Sequence, residues 1–147
     1  MRLLILIATL AVSAPVLAKP TLVTEELPAE TRQVLIEEMQ AIAAAMGRIH
    51  TAMVTGDHAA VAKEAAEIKA SFVLKQKLTK EQRHQIHEML PQAFIAMDRS
   101  FHELAGELAR AAEQEDTSAE RATFERMSET CQGCHATFAS KRFPGLE

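Results

Sequence analysis

The sequence predicts an all-α protein, folded as an antiparallel up-down four-helix bundle. Residues that favour helices, such as alanine, leucine and glutamate, are abundant. The 147 residues include no tryptophan or tyrosine, and only five glycines and five prolines. Apolar residues also recur at alternating spacings of three and four, which is the pattern of a helix with one buried face. Composition and periodicity therefore agree on helices that pack around a shared core.

The first eighteen residues have the three parts of an export signal. Arg2 supplies the positive charge, Leu3 to Val12 form the apolar stretch, and Val16-Leu17-Ala18 suits cleavage after Ala18. The apolar stretch is shorter than the ~20 residues of a membrane-spanning helix. We therefore expect residues 1–18 to be removed and residues 19–147 to form one exported domain without a membrane anchor.

The first two predicted helices are separated by a glycine. The first begins near Pro28 and is stopped by Gly56, and Asp57 is the expected N-cap of the second. The second starts near His58 and ends before Lys77. The apolar seam of the first helix is formed by Leu35, Met39, Ile42, Met46, Ile49 and Met53. The inner face of the second is formed by Val61, Ala65, Ile68 and Phe72.

A short connecting helix is expected next, over Lys80 to Met89, with Thr79 as its cap. Pro91 suits the first turn of the third long helix, because proline disrupts a helix only when it lies deeper inside. The apolar face of that helix is formed by Phe94, Met97, Phe101, Leu104, Leu108 and Ala111.

The fourth long helix is expected to open at Thr117, since Thr117-Ser118-Ala119-Glu120 has the capping-box form. Pro144-Gly145 is the expected end. Its inner side is formed by Phe124, Met127, Cys131, Cys134, His135 and Phe138.

The segment Cys131-Gln132-Gly133-Cys134-His135 is the attachment signature for a c-type haem. Residues three and four apart share one face of a helix, so both thiols and the imidazole project to the same side. A disulfide is the alternative in an oxidising compartment. A thioredoxin-like dithiol would need a βαβ context, and zinc would need a fourth ligand, which is not obvious. The motif therefore predicts one covalent haem c, with Cys131 and Cys134 as thioether anchors and His135 as the proximal iron ligand.

An export signal, four amphipathic helices and this motif in the last helix resemble the cytochrome c′ family, including its low-spin cytochrome c-556 relatives. The resemblance covers the whole mature chain, 19–147. Class I cytochromes c carry the same motif near the N-terminus, so its position distinguishes the two groups. The resemblance implies a periplasmic four-helix haem protein with the haem near the C-terminal helix, often a homodimer through its first two helices.

The resemblance also implies a distal residue from the first helix, which is methionine in low-spin members and apolar in high-spin members. Counted back from the segment 45–49, this position falls on Met39, which lies on the apolar seam described above. Met46 is the rival ligand, and core packing is the alternative role for Met39. The family's basic residue one turn earlier is replaced by Leu35, and Arg32 is the nearest candidate to pair with a haem propionate.

Histidines outside the motif have weaker claims as ligands. His50 and His102 flank the seams and would allow bis-histidine ligation, although such residues are usually polar edges. His84 and His87 would share a surface metal or simply lie in solvent. Lys141 and Arg142 either pair with a propionate or stabilise a helix C-terminus.

The predicted function is one-electron transfer to and from redox partner proteins in the periplasm. Iron held by His135 and Met39 has no open site and keeps its ligands in both oxidation states. The alternative is binding of nitric oxide or carbon monoxide at an open distal site. Catalysis is not expected, because the first-helix seam offers no acid or base toward the iron. The net charge of −4 without a basic tract gives no reason to expect nucleic acid binding.

Overall fold

A computed structural model describes residues 21–70 and 78–146. The regular secondary structure of this part of the chain is helical, without strands. The predicted all-α class is thus confirmed. Its α-helices are α1 Ala29–Thr55, α2 His58–Lys69, α3 Lys80–Met89, α4 Gln92–Glu113 and α5 Thr117–Phe138. The segments Val23–Glu26 and Pro144–Leu146 are short 3₁₀ turns. The export signal at 1–18 and the predicted role of Phe72 lie outside the described residues.

None of the helices in the two described ranges combines the length and the apolar character that a membrane crossing requires.

Local sequence determines how α1, α2 and α3 begin and end. Gly56 adopts the left-handed conformation, with φ of 72°, and its N–H donates to carbonyls of the last turn of α1. The Asp57 carboxylate accepts a hydrogen bond of 3.0 Å from the N–H of Ala60. Thr79 and Gln82 form a reciprocal capping box at the start of α3. The predicted glycine stop and these two caps are confirmed.

Two predicted helix starts are corrected. Pro91 is the residue before α4 and lies outside its first turn, because its ψ of 140° is extended. Helix α5 does begin at Thr117, but its cap is Asp116, whose carboxylate accepts hydrogen bonds from the N–H groups of Ser118 and Ala119. No capping box forms there, because the Glu120 carboxylate is buried and contacts His58 Nδ1 at 2.6 Å.

The end of α5 also differs from the prediction. The helix stops at Phe138, six residues before Pro144. The chain then leaves the helix and binds the N-terminal segment. The N–H of Thr21 donates to Ser140 Oγ at 3.0 Å, and the N–H of Lys141 donates to the Thr21 carbonyl at 3.0 Å. These contacts with a distant part of the chain compete with continuation of the helix.

The buried stripe of α1 is rotated relative to the predicted seam. The buried residues of α1 are Thr31, Leu35, Glu38, Ile42, Ala45, Ile49 and Ala52. Leu35, Ile42 and Ile49 agree with the prediction. Between them, the predicted methionines are replaced by the residues that precede them. Met46 and Met53 are partly buried at the edge of the core, and Met39 is 40% exposed. Ala45 and Ala52 are buried members of the larger cluster, to which α2 also contributes.

The other predicted inner faces are largely right. In α2, the buried residues are Val61, Ala65 and Ile68. In α4, the predicted residues that are buried are Phe101, Leu104, Leu108 and Ala111. Helix α2 lies between α1 and α4 and packs against both, and α4 packs against α5. The haem motif is therefore carried by a helix whose main neighbour is α4.

The apolar side chains form two separate clusters. The larger cluster comprises Ile42, Ala45, Ile49, Ala52, Val61, Ala65, Ile68, Phe101, Leu104, Ala105, Leu108, Ala109, Ala112 and Met127. The smaller cluster comprises Leu27, Leu35, Ile86 and Leu90, with Val23, Leu78, Phe94 and Ile95 packed against it. Among the described residues, the buried apolar side chains are therefore divided into two clusters along the long axis of the helices.

Replacing Glu120 by alanine is expected to lower the free energy of unfolding by about 1.5–3 kcal/mol, the usual contribution of a hydrogen bond to a charged group. Glu120 is only 2% exposed and joins the start of α5 to His58 at the start of α2. Denaturant unfolding measures the change. Glu125 is exposed on the same helix and is the matched control, with an expected change within about 0.5 kcal/mol for Glu125→Ala. Equal effects of the two substitutions would contradict the role of the buried pair.

Candidate haem-attachment site

The three motif side chains lie near the end of α5, on its inward half. Cys131, Cys134 and His135 are partly buried, whereas Gln132 between them is exposed. Cys131 packs against the larger cluster. The helix therefore brings both thiols and the imidazole to one side, as the spacing of three and four requires.

Both thiols are free and stay protonated near neutral pH. Burial raises the pKa of Cys131. Burial, together with the negative charge of Asp98 and the proximity of the Cys131 thiol, raises the pKa of Cys134 to about 11. A redox-active dithiol depends on an easily formed thiolate, so this environment is unfavourable for dithiol redox chemistry.

His135 is held as a neutral imidazole by its surroundings. Burial lowers the pKa of His135 below its usual value. The ring stacks on Phe143, with 4.3 Å between ring centroids and 17° between planes. Neutral imidazole is the form that binds a metal ion, and the stacking limits rotation of the ring. Nothing in the sequence marks Phe143 as a site residue, because it lies beyond the end of α5 and belongs to no motif.

The segment that carries Phe143 is fixed by the N-terminal segment. Lys141 Nζ contacts Glu25 Oε1 at 2.6 Å, and Thr21 Oγ1 donates to the Thr137 carbonyl at 2.9 Å. Lys141, a candidate propionate partner, is thus engaged with a carboxylate in this structure. Arg142 lies over the Phe143 ring, 5.8 Å from its centroid.

Helix α1 presents Met39 beside a buried carboxylate. Met39 is 40% exposed, whereas its neighbour Glu38 is only 1% exposed. Of the three other candidate ligands from outside the motif, Met46 packs against the larger cluster, and the two histidines have other neighbours. The His50 ring lies 6.1 Å from that of Phe124, and His102 Nδ1 donates to the Ile68 carbonyl at 2.6 Å.

The division of the core falls at one level on α1 and α4. On α1, Leu35 belongs to the smaller cluster and Ile42 to the larger, with Glu38 and Met39 between them. On α4, Phe94 and Ile95 pack against the smaller cluster and Phe101 belongs to the larger, with Met97 and Asp98 between.

The haem motif lies at this same level on α5. Cys131 packs against the larger cluster. The Phe138 ring packs against the ring of Phe94, which borders the smaller cluster, with 5.6 Å between ring centroids. Cys134 and His135 fall between. A Cβ atom added at Gly133 would lie 3.8 Å from Met97 Cε, so this part of α5 directly faces α4. We call this level the core interruption, and its residues are Glu38, Met39, Met97, Asp98, Cys134 and His135.

The helix pair α1 and α5 comes close at few positions, although both contribute to the core interruption. In the described ranges, no group of three or more histidine, cysteine or acidic residues forms a metal site, and His84 and His87 are both exposed.

The chain was compared with protein families, curated proteins and solved structures. No protein-family model matches the chain, and no curated protein or solved structure is similar to it at a significant level. The described residues form an all-α protein in which Cys134 and His135 lie at the core interruption. A closer assignment depends on the residues themselves.

Proposed function

We propose that this chain is a periplasmic c-type cytochrome of the cytochrome c′ and c-556 type, which carries one electron on a single covalent haem c. The observation that carries the proposal is the core interruption. The attachment motif, a thioether side chain and the separation between the two apolar clusters of the described residues coincide there. A purely structural helical bundle would be expected to have a continuous core instead.

The residues present fit a haem. Cys131 and Cys134 would hold it through thioether bonds, and His135, kept neutral by burial, would bind the iron on the proximal side. Met39 is the proposed distal ligand, and its exposed thioether would become covered. The haem, when bound, supplies the one-electron redox chemistry. The chain supplies the axial ligands, the apolar surroundings and the surface that a partner protein approaches.

The order of the helices supports the up-down four-helix arrangement. Helices α1 and α4 run from the smaller cluster toward the larger, whereas α5 runs in the opposite direction. Helix α2 packs between α1 and α4, and α3 lies between α2 and α4 in the chain. A haem on α5 would then lie between facing helices, where bundles commonly hold cofactors.

Axial ligands on both sides suit an electron carrier. Iron bound by His135 and Met39 would keep its ligands in both oxidation states, so little rearrangement would accompany electron transfer. The proposed partners are redox proteins of the periplasm, reached after removal of residues 1–18, and a homodimer through α1 and α2 belongs to the same proposal. The chain is proposed to be no enzyme.

Binding of small gases is the second candidate function. The observation that favours it is the exposure of Met39, which is 40% and places this side chain at the edge of the buried stripe of α1. A distal methionine held this loosely would be easily displaced by nitric oxide or carbon monoxide.

The test is to express the full chain with its first eighteen residues in a bacterium that attaches haem c in the periplasm. We expect a purified protein that begins at Lys19, keeps its haem on a denaturing gel and has a low-spin ferric spectrum. A high-spin spectrum, with ready binding of carbon monoxide by the ferrous protein, would support the gas-binding function. A chain exported without covalent haem would rule out both functions.

Replacing Phe143 by leucine is expected to loosen the proximal imidazole. The stacked ring would be lost, and such aromatic pairs contribute about 0.5–1.5 kcal/mol beyond burial. We expect lower stability by this amount and broader ferric paramagnetic-resonance lines, because the imidazole plane would vary among molecules. Phe94→Leu removes a comparable ring contact, with Phe138, and is the control for stability alone. Equal line widths in both variants would exclude a positioning role for Phe143.

A further inference from the structure

His102 is a buried histidine that the proposed function does not use. It is 7% exposed on α4, and its Nδ1 donates to the Ile68 carbonyl of α2 at 2.6 Å. Its Nε2 lies 3.6 Å from Asp98 Oδ1, which is long for a hydrogen bond, and has no other hydrogen-bond partner among the described residues. The ring is thus fixed through Nδ1, and Nε2 is the atom that can gain or lose a proton.

The charges around His102 favour its protonated form. Burial lowers the pKa of His102. Asp98, the Ile68 carbonyl and the negative charge of Glu38 together raise it by more than burial lowers it, so the pKa of His102 lies above its usual value. Asp98 belongs to the same helix and Glu38 to α1, so two elements place negative charge near the imidazole. The other titratable or charged groups on this side line the groove next to His102; they are Lys69, His87, Arg99 and Glu103.

The same groups border the proposed haem site. Asp98 acts on both His102 and Cys134, since its negative charge contributes to the raised pKa of the thiol. Met97, which precedes Asp98, faces Gly133 of the attachment motif. Glu38 precedes Met39 on α1. His102 therefore lies one helical turn from the core interruption and is linked to it through Asp98.

A route for protons reaches His102 from solvent. A groove of about 360 Å³ opens between the end of α2, α3 and α4, and both His102 and Asp98 line it. Protonation of Nε2 needs no bond to break and no movement of the ring, because the hydrogen bond to Ile68 is made by the other nitrogen.

We propose that His102 binds a proton when the haem is reduced and releases it when the haem is oxidised, so that electron transfer by this protein is coupled to a proton. The inference rests on the proposed function. One electron comes from the redox partner protein and one proton comes from water through the groove, where it binds to the lone pair of Nε2. Reoxidation reverses both steps. The added electron removes one positive charge from the haem site, so the imidazolium form of His102 becomes more favourable. This electrostatic effect falls with the distance between the haem and the imidazole.

The test is the reduction potential of the haem-loaded protein between about pH 5 and about pH 9. We expect the potential to fall as the pH rises between the two pKa values of His102 in the oxidised and reduced protein. The limiting slope for one proton per electron is about 59 mV per pH unit, a tenfold change in proton concentration. In His102→Gln the amide can still donate to Ile68 but does not titrate, so this slope should be lost. A slope that persists unchanged in His102→Gln would overturn the inference.

Matched variants separate this role from the others. His84 is exposed on α3, and His84→Gln should keep the wild-type slope. Asp98→Asn keeps His102 but removes its counter-charge, so the sloping region should move to lower pH. This variant also decides the matter if His102→Gln fails to fold, because a sloping region that stays in place would contradict the proposal.

Direct counting of protons gives an independent readout. Reduction of the wild-type protein in weakly buffered solution with a pH indicator should consume protons, and reduction of His102→Gln should consume none in the same pH range. Equal proton uptake by both proteins would overturn the inference while leaving the electron-transfer proposal intact. Absence of covalent haem would instead overturn the proposed function itself.

Discussion

Replacing both Cys131 and Cys134 by serine is expected to abolish covalent haem attachment completely. These are the only two cysteines in the chain, and a serine hydroxyl does not form the thioether that a thiol makes with a haem vinyl group. Haem staining of a denaturing gel and the intact mass of the purified protein measure the loss. Each single variant should retain at most one bond.

Gln132→Ser provides the matched control, because Gln132 lies inside the motif but is exposed. This variant should keep the full mass of one haem and the wild-type spectrum. The double cysteine variant should also be less stable, since the apolar contacts expected at the core interruption would be missing. Covalent haem in the double variant, or none in the wild-type protein, would contradict the assignment of the motif.

Replacing Met39 by alanine is expected to change the ferric protein from low-spin to high-spin. The methyl side chain of alanine has no donor atom, so the sixth position would become open to water or a gas. The ferrous variant should bind carbon monoxide at least roughly tenfold more tightly, which corresponds to ~1.4 kcal/mol of lost ligation. The reduction potential should fall, because a methionine ligand raises it. Absorption and paramagnetic-resonance spectra and a carbon monoxide titration measure these changes.

Met46→Ala tests the rival ligand on the same helix. Met46 is partly buried against the larger cluster, so we expect its replacement to leave the low-spin spectrum unchanged and to cost only packing energy. A high-spin spectrum in this variant, with an unchanged one in Met39→Ala, would move the distal position to Met46. Unchanged spectra in both variants would mean that neither methionine binds the iron.

Local chemistry made much of the fold predictable. Gly56 ends α1 because it readily adopts a positive φ, and Asp57 and Thr79 cap the following helices through side-chain oxygens within three residues. The cap of α5 was missed for a related reason. Asp116 is one residue earlier than the Thr117 that fits the capping-box pattern, and Glu120 is drawn away by His58 of another helix.

Periodicity predicted that α1 is amphipathic, but it did not fully predict which side of the helix is buried. Residues 38 and 39 lie on opposite sides of the line through residues 35 and 42 on the helix surface, and the hydrophobic pattern favours the methionine over the glutamate. In the folded chain Glu38 is buried and Met39 is exposed, and the buried stripe of α1 continues through Ala45 and Ala52. Apolarity alone therefore chose the wrong residue, since packing depends on the neighbouring helix.

The sequence by itself determined the helical class, most helix ends and the placement of Cys131, Cys134 and His135 on one side of a helix, because each depends on residues at most four positions apart. Only the tertiary structure decided which face of α1 is buried, where the core is divided, and which distant side chains meet. The stacking of Phe143 on His135 and the position of His102 beside Asp98 and Ile68 belong to this second group. Contacts of this kind join helices and segments far apart in the chain, and their geometry depends on how the whole core packs.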